Sequence, residues 1–312
     1  MPVIRAGTKA ARAAARAPLG SLNQLGIAPK RQRRNHAAAT AFVSWAAREC
    51  LPFDSSMAQL LWALLHWAEH LWHTGEGKDL LASSLYGVRA IYPPLVLDLK
   101  PIWNLFHRWN RQELPQQAPP MLTLELLGLA GYAVWGGDLG LAVCLLLAFD
   151  QFLRPGEMAA VVPADLQFVA NAVVVELNET KGVKRRGGKD EVVVYDPLLV
   201  QLLHQVASST PPGTALARKT PGQIREWFKR AVKALGLHGR GLLLYSLRRG
   251  GITASFVAGT SITNLAQRAR WMDHRTARVY ITEGRKLVME ATLTPGQQST
   301  LQWFAALLQP AA

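Results

Sequence analysis

Between positions 154 and 280 stand residues whose types can act together on a phosphodiester bond. Tyr245 and Arg248 are three apart in the run LYSLRRGG, and Trp271 precedes Tyr280 by nine. Upstream, Arg154 opens the turn RPGE, and Lys181 lies in the polar, glycine-containing run TKGVKRRGGKD. Breaking a phosphodiester without a metal needs an in-line nucleophile, positive donors on the non-bridging oxygens and an acid for the leaving oxygen. A tyrosine hydroxyl can be the nucleophile, and the phosphotyrosine it forms stores the bond energy, so that rejoining needs no ATP. Arginine suits the donors, because its planar fork binds phosphate through paired hydrogen bonds and stays charged. Each residue alone has a plainer reading. Arg-Pro-Gly is an ordinary helix stop, a lysine-rich hairpin tip is solvated, and a lone Trp or Tyr on a helix is usually core. Their joint order and spacing raise them above that.

Taken together, RPGE, the hairpin lysine, Tyr245-x-x-Arg248 and the Trp271–Tyr280 interval resemble the catalytic half of the tyrosine recombinases, the phage-integrase family. The resemblance covers about 120–285. It implies that Arg154 and Arg248 clamp the phosphate, with Glu157 holding the architecture around Arg154. Lys181 would be the general acid for the 5′ oxygen, with Lys184 and Lys189 as rivals because turn length varies. Trp271 would donate its indole N–H to the phosphate, and Tyr280 would be the nucleophile. Tyr245 departs from the family's usual His; a phenol can donate to phosphate, but a pKa near ~10 makes it a poorer base at neutral pH. Arg249 fits the spacing from Tyr245 less well than Arg248, and His274, six residues before Tyr280, does not match the interval. The implied reaction is DNA strand cleavage and rejoining through a 3′-phosphotyrosyl intermediate. Its implied partners are double-stranded DNA and other copies of the chain, as a homotetramer on DNA, with no metal and no small-molecule cofactor. Two other readings stay open. One is a domesticated, non-catalytic DNA-binding protein, which would form no covalent adduct. The other is a type IB topoisomerase, which would relax supercoils as a monomer.

The elements that must position these residues make a mainly α chain with a small antiparallel β-sheet. Apolar helices are expected over 121–133 and 138–153, strands near Leu166–Phe168, Val173–Leu177 and Glu191–Val194, and helices over 197–207 and 220–236. In the last of these, Ile224, Trp227, Phe228, Ala231 and Leu235 face inward. Three short helices then follow, capped by Ser246, Ser261 and Asp273, with Gly259 stopping the first in a left-handed turn. Upstream, helical spacing over 38–50, 55–73, 79–91 and 101–111 makes a small helical domain, the place of a SAM-like core-binding domain in the resemblance. The domain plan is a basic disordered arm over 1–35, a helical DNA-binding domain over 36–112, a linker over 113–120 and an integrase-type mixed α/β catalytic domain over 121–312.

Charge points to a polyanionic partner. The formal net charge is +14, and residues 1–35 hold eight Lys and Arg with no acid. The cluster KRQRR at 30–34 reads as a nuclear signal or a phosphate-binding patch, so the expected place is nucleus or nucleoid; an Arg-rich, acid-free leader also suits an organelle transit peptide, which stays open. No membrane span is expected. Glu125, Asp138 and Asp150 break the most apolar region, 121–153, into runs well short of the ~20 residues a span needs. Cys50 and Cys144 give neither a disulfide framework nor a metal set and are expected to be buried. His66, His70 and His73 lack further ligands, and Trp45, Trp62, Trp67, Trp72, Trp103 and Trp109 read as core. Near the end, Leu301, Phe304, Ala305 and Leu308 form an apolar stripe. It must be buried on its own domain or, as in relatives, on a neighbouring subunit.

Overall fold

A computed structural model describes residues 29–54, 56–91, 98–113, 117–178, 190–271, 273 and 276–308, with Ala14 and Ala17. The chain divides into two compact units, Met1–Gln116 and Gln117–Ala312.

The first unit packs α1 (Pro29–Arg48), α2 (Met57–His73), α3 (Lys78–Ile91) and α4 (Lys100–Gln112) around Phe42, Trp45, Leu64, Trp67, Leu81 and Ile102. One polar thread crosses this core: Trp67 Nε1 donates to Ser84 Oγ (3.1 Å), which donates to the Ala38 carbonyl (3.1 Å). Residues 29–35 were expected in a disordered arm but form the first turns of α1. Pro29 is pre-set for a helix start, Lys, Arg and Gln are good helix formers, and Asn35 is already buried. KRQRR is therefore helical, with the Arg31 guanidinium 5.1 Å from the centre of the Tyr86 ring. Two core expectations also fail. Trp62 and Trp72 are exposed, and Cys50 is exposed in a left-handed turn (φ 53°) just past α1, whereas Cys144 is buried.

The second unit is built around α6 (Leu139–Asp150), buried along nearly its whole length and neighboured by α5 (Thr123–Trp135) and α8 (Pro197–Ser209). Strands β1 (Leu166–Val169), β2 (Ala172–Leu177) and β3 (Asp190–Val194) form an antiparallel sheet in the order β1-β2-β3. The pairs Val173–Val194 and Val175–Val192 lie on its buried face. Then come α9 (Pro221–Ala234), α10 (Leu244–Val257), α11 (Ile262–Arg268), α12 (Ala277–Tyr280), α13 (Glu283–Ala291) and α14 (Pro295–Ala306). The expected class, mainly helical with a small antiparallel sheet of integrase type, is what the chain adopts. No helix among the described residues is long and apolar enough to cross a membrane.

The C-terminal stripe is buried within its own unit. A Cβ on Gly128 would stand 2.3 Å from Leu301 Cδ2, and one on Gly131 would stand 1.8 Å from the Phe304 carbonyl oxygen. Those two glycines let α14 lie directly on the backbone of α5, with Phe304 edge-on to Tyr132 at 5.2 Å.

Candidate functional site

Close packing of α10 on α6 positions the site. The diglycine after Arg248 and Arg249 makes this possible: a Cβ on Gly250 would lie 2.2 Å from the Met121 carbonyl oxygen, and one on Gly251 would lie 1.9 Å from that of Phe149. Arg248 thereby reaches the chain as it leaves α6. That exit passes through Phe152, buried and left-handed (φ 52°), to Arg154, which precedes the short helix α7 (Pro155–Met158). Glu157 closes α7 by accepting from the Arg154 backbone N–H at 2.9 Å.

One expected cap is corrected. α10 begins at Leu244, and Ser246 is its third residue, its Oγ accepting from the Leu243 N–H at 3.0 Å. The cap expected at Asp273 adjoins residues outside the described set; the Asp273 carbonyl accepts from the Thr276 N–H (3.1 Å), and α12 runs from Ala277 to Tyr280. The other two punctuation marks hold: Gly259 is left-handed (φ 91°), and Ser261 Oγ accepts from the Asn264 N–H at 3.2 Å.

Tyr280, last residue of α12, is half-buried at the centre of the arrangement. Its hydroxyl is hydrogen-bonded to that of Tyr245, and its ring lies 4.8 Å from Trp271, centre to centre. The guanidinium of Arg248 sits 5.6 Å from both the Trp271 and Tyr280 ring centres, and that of Arg249 is 5.6 Å from Tyr280. Thr253 Oγ1 donates to the Tyr280 carbonyl (3.1 Å), fixing the backbone that carries the ring. Arg248 is fully buried. One of its terminal nitrogens donates to the Phe152 carbonyl and the other to Ala269 O at 2.9 Å, while Nε has no partner among the described residues.

A second layer holds Arg154. Glu157 accepts from Arg154 NH1 at 2.5 Å and from Arg270 NH2 at 2.9 Å, and the Glu157 and Arg270 side chains are almost entirely buried. Arg270 closes α11: the Trp271 N–H donates to Ala266 O (2.9 Å) while Arg270 itself is left-handed at φ 58°. That conformation costs a residue with a Cβ roughly 1–2 kcal/mol, and glycine usually fills it.

Charge in this layer is unbalanced. Burial pushes the Glu157 carboxyl up, but Arg270, the Arg154 N–H and the Arg154 charge together hold it below its ordinary value. Burial brings the Arg248 guanidinium down to about 10, and the charges of Arg154 and Arg270 push it the same way. Three guanidiniums thus gather about the Glu157 carboxylate in a partly dry space, with Asp190 also acting on Arg270, an arrangement an incoming anion would relieve. The Tyr245 phenol is raised to about 12, first by burial and then by its hydrogen bond to Tyr280. It is therefore protonated at neutral pH and serves as a hydrogen-bond donor or relay.

Of the six residues singled out in the sequence, Tyr245, Arg248, Trp271 and Tyr280 meet in one cluster, and the charge of Arg154 acts on Tyr245 and Arg248. Lys181 lies outside the described residues, as do Lys184, Lys189 and His274. Two arginines of the site were passed over. Arg249, set aside as a neighbour of Arg248, lies over Tyr280 and donates from NH1 to Gln117 Oε1 at 2.6 Å. Arg270 gave no signal, because a left-handed position is recognised by glycine and this one holds an arginine. No group of three His, Cys, Asp or Glu among the described residues is placed to hold a metal ion.

No protein-family model matches the sequence, and no curated protein does. Solved structures do match. A lambda integrase dimer bound to a COC′ core site is 15% identical, with a TM-score of 0.58, over 84% of this chain and 74% of that one. A lambda integrase tetramer bound to a Holliday junction gives 16% identity and a TM-score of 0.56 over the same shares. The Tn1549 transposon integrase in complex with transposon right end DNA gives 12% identity and a TM-score of 0.52, over 82% of this chain and 99% of that one. The chain has the fold of the tyrosine recombinases and integrases.

Proposed function

We propose that this chain breaks and rejoins double-stranded DNA, with Tyr280 as nucleophile, in site-specific strand exchange. The observation that carries the reading is the Tyr245–Tyr280 hydroxyl pair set beside Arg248 and the arginines gathered at Glu157. In the proposed step Tyr280 Oη attacks the phosphorus, an O–P bond forms to the 3′ side, and the bond to the 5′ oxygen breaks. The Tyr280 proton is relayed to solvent through the Tyr245 hydroxyl, which gives its own proton to water as it takes the one from Tyr280. The 5′ oxygen takes a proton from a lysine, for which Lys181 is the proposed donor. Arg154 and Arg248 bear on the non-bridging oxygens and Trp271 completes the wall. No electrons are exchanged, and the reverse reaction restores the strand.

The lambda integrase structures, as a dimer on a core site and a tetramer on a Holliday junction, support DNA and further copies of this chain as the proposed partners. The Tn1549 transposon integrase supports a mobile element as its setting, and the proposed place of action is wherever the cell keeps that DNA, nucleus or nucleoid. A second reading, DNA binding without cleavage, is favoured by one observation: the usual His position holds a phenol with a raised pKa. Incubation with a library of nicked duplexes separates the two. A protein–DNA adduct that survives denaturation supports strand cleavage, and its absence across adequate sequence coverage favours the binding-only reading.

A further inference from the structure

We infer that Arg270 is a positioning residue for strand cleavage, holding the Arg154 turn in register with the Trp271–Tyr280 segment; this rests on the reading proposed above. Arg270 belongs to the loop that carries Trp271, while Glu157 belongs to the turn that carries Arg154, 113 residues away. Their ion pair, at 2.9 Å and almost wholly buried, joins the two segments directly. The same carboxylate takes both the backbone N–H and NH1 of Arg154, so moving it would move Arg154. On the other side, Arg270 NH1 donates to the Arg268 carbonyl (3.1 Å) and to that of Gln151 (3.4 Å), which ties it to the end of α6.

The backbone argues that this is more than a convenient contact. Glycine would relieve the left-handed turn at φ 58°, yet the position holds a long cation whose head is buried. The strain is retained where it aims a guanidinium at Glu157 and adds positive charge near Arg248, in a site short of negative charge. Glycine would relieve the backbone strain but would lose the guanidinium that reaches Glu157.

The test compares Arg270→Gly and Arg270→Lys with wild type in single-turnover linkage to saturating nicked duplex, alongside DNA affinity and thermal midpoint. Arg270→Gly is expected to slow linkage about tenfold or more while affinity stays within about threefold and the midpoint changes little. Arg270→Lys, which keeps a cation for Glu157, is expected to restore part of the rate. Linkage at wild-type rate in Arg270→Gly overturns the inference. So does a loss of rate matched by an equal loss of affinity and midpoint, which would make the residue structural. Inorganic phosphate supplies a readout free of cleavage: its stabilisation of the wild-type midpoint should shrink in Arg270→Gly. Wild-type protein that responds to phosphate in this way but never links DNA removes the cleavage reading and leaves the positioning of Arg154 standing. A phosphate response unchanged in Arg270→Gly, or missing from wild type, removes the positioning.

Discussion

Two buried glutamates in the second unit are each held by arginine, and they do opposite things. Glu125, on α5, has no exposed surface; it accepts from the Leu122 N–H at 2.8 Å and pairs with Arg240. Arg240 also donates to the carbonyl of Met289 (2.5 Å) and to Thr292 Oγ1 (3.2 Å), so that one guanidinium pins α5 to α13. One charge meets one charge and the pair is closed. Burial wins at Glu125, whose carboxyl is raised despite the hydrogen bond from Leu122 and the charge of Arg240. Glu157 is nearly as dry, but Arg270 and Arg154 share it and their charges and hydrogen bonds lower its carboxyl, with Arg248 standing nearby. The contrast shows that burial alone does not set the character of an ion pair. The balance of opposing charges does, because a surplus of buried cations favours an anion.

The largest effect expected from this contrast is on stability. Arg240→Ala strands Glu125 in a dry pocket and should cost about 3–5 kcal/mol of unfolding free energy, read from urea denaturation. A loss under about 1 kcal/mol, the scale of an exposed ion pair, would show the pin to be dispensable. Arg154→Ala should behave in the opposite sense. Glu157 keeps Arg270, so the fold should hold, whereas DNA linkage should slow by about 10²–10³, or about 2.7–4 kcal/mol in the barrier. Linkage at the wild-type rate would make Arg154 structural.

A smaller effect distinguishes the two carboxylates by pH. Glu157 has a folded pKa below the unfolded value. Its stabilisation is therefore fully present above the ordinary 4.5 and is lost as pH falls through the lowered value. Glu125 has a raised folded pKa, so its contribution is greatest below 4.5 and declines as pH climbs through the raised value. Glu157→Gln and Glu125→Gln should therefore change the pH slope of stability with opposite signs between about pH 3 and pH 7. Slopes that change alike would mean that the two sites are electrostatically equivalent.

The sequence was most informative where function depends on local intervals. Tyr245, Arg248, Trp271 and Tyr280 lie within one stretch of short helices, so their spacing could be read directly, and the β-rich run Val173–Leu177 announced a strand, which the structure buries on one face. What stayed hidden depends on contacts between distant segments. Glu125 and Arg240 are 115 residues apart, and neither stands in a pattern that names the other. Gly128 and Gly131 carry no signal of their own in an apolar helix, yet they are the sockets that accept α14. Arg270 was illegible for another reason, because a left-handed arginine contradicts the propensity rule by which such a turn is recognised. Composition also misled at 29–35, where arginines that look solvated open a helix whose later turns bury Ala38, Ala39 and Phe42. The exposed indoles of Trp62 and Trp72 failed for a like reason: residue type predicts burial only on average.

The central claim is that Tyr280 is the nucleophile and Tyr245 its hydrogen-bonded neighbour, and covalent capture on nicked duplex DNA addresses it directly. Each tyrosine is replaced by phenylalanine, and denatured protein is assayed for bound DNA strand. Both changes remove one oxygen from a half-buried ring, so folding and DNA affinity should stay near wild type. Tyr280→Phe should abolish the adduct, whereas Tyr245→Phe should weaken it and leave the linked peptide containing Tyr280. An adduct that persists in Tyr280→Phe and vanishes in Tyr245→Phe would contradict the account and make Tyr245 the attacking residue.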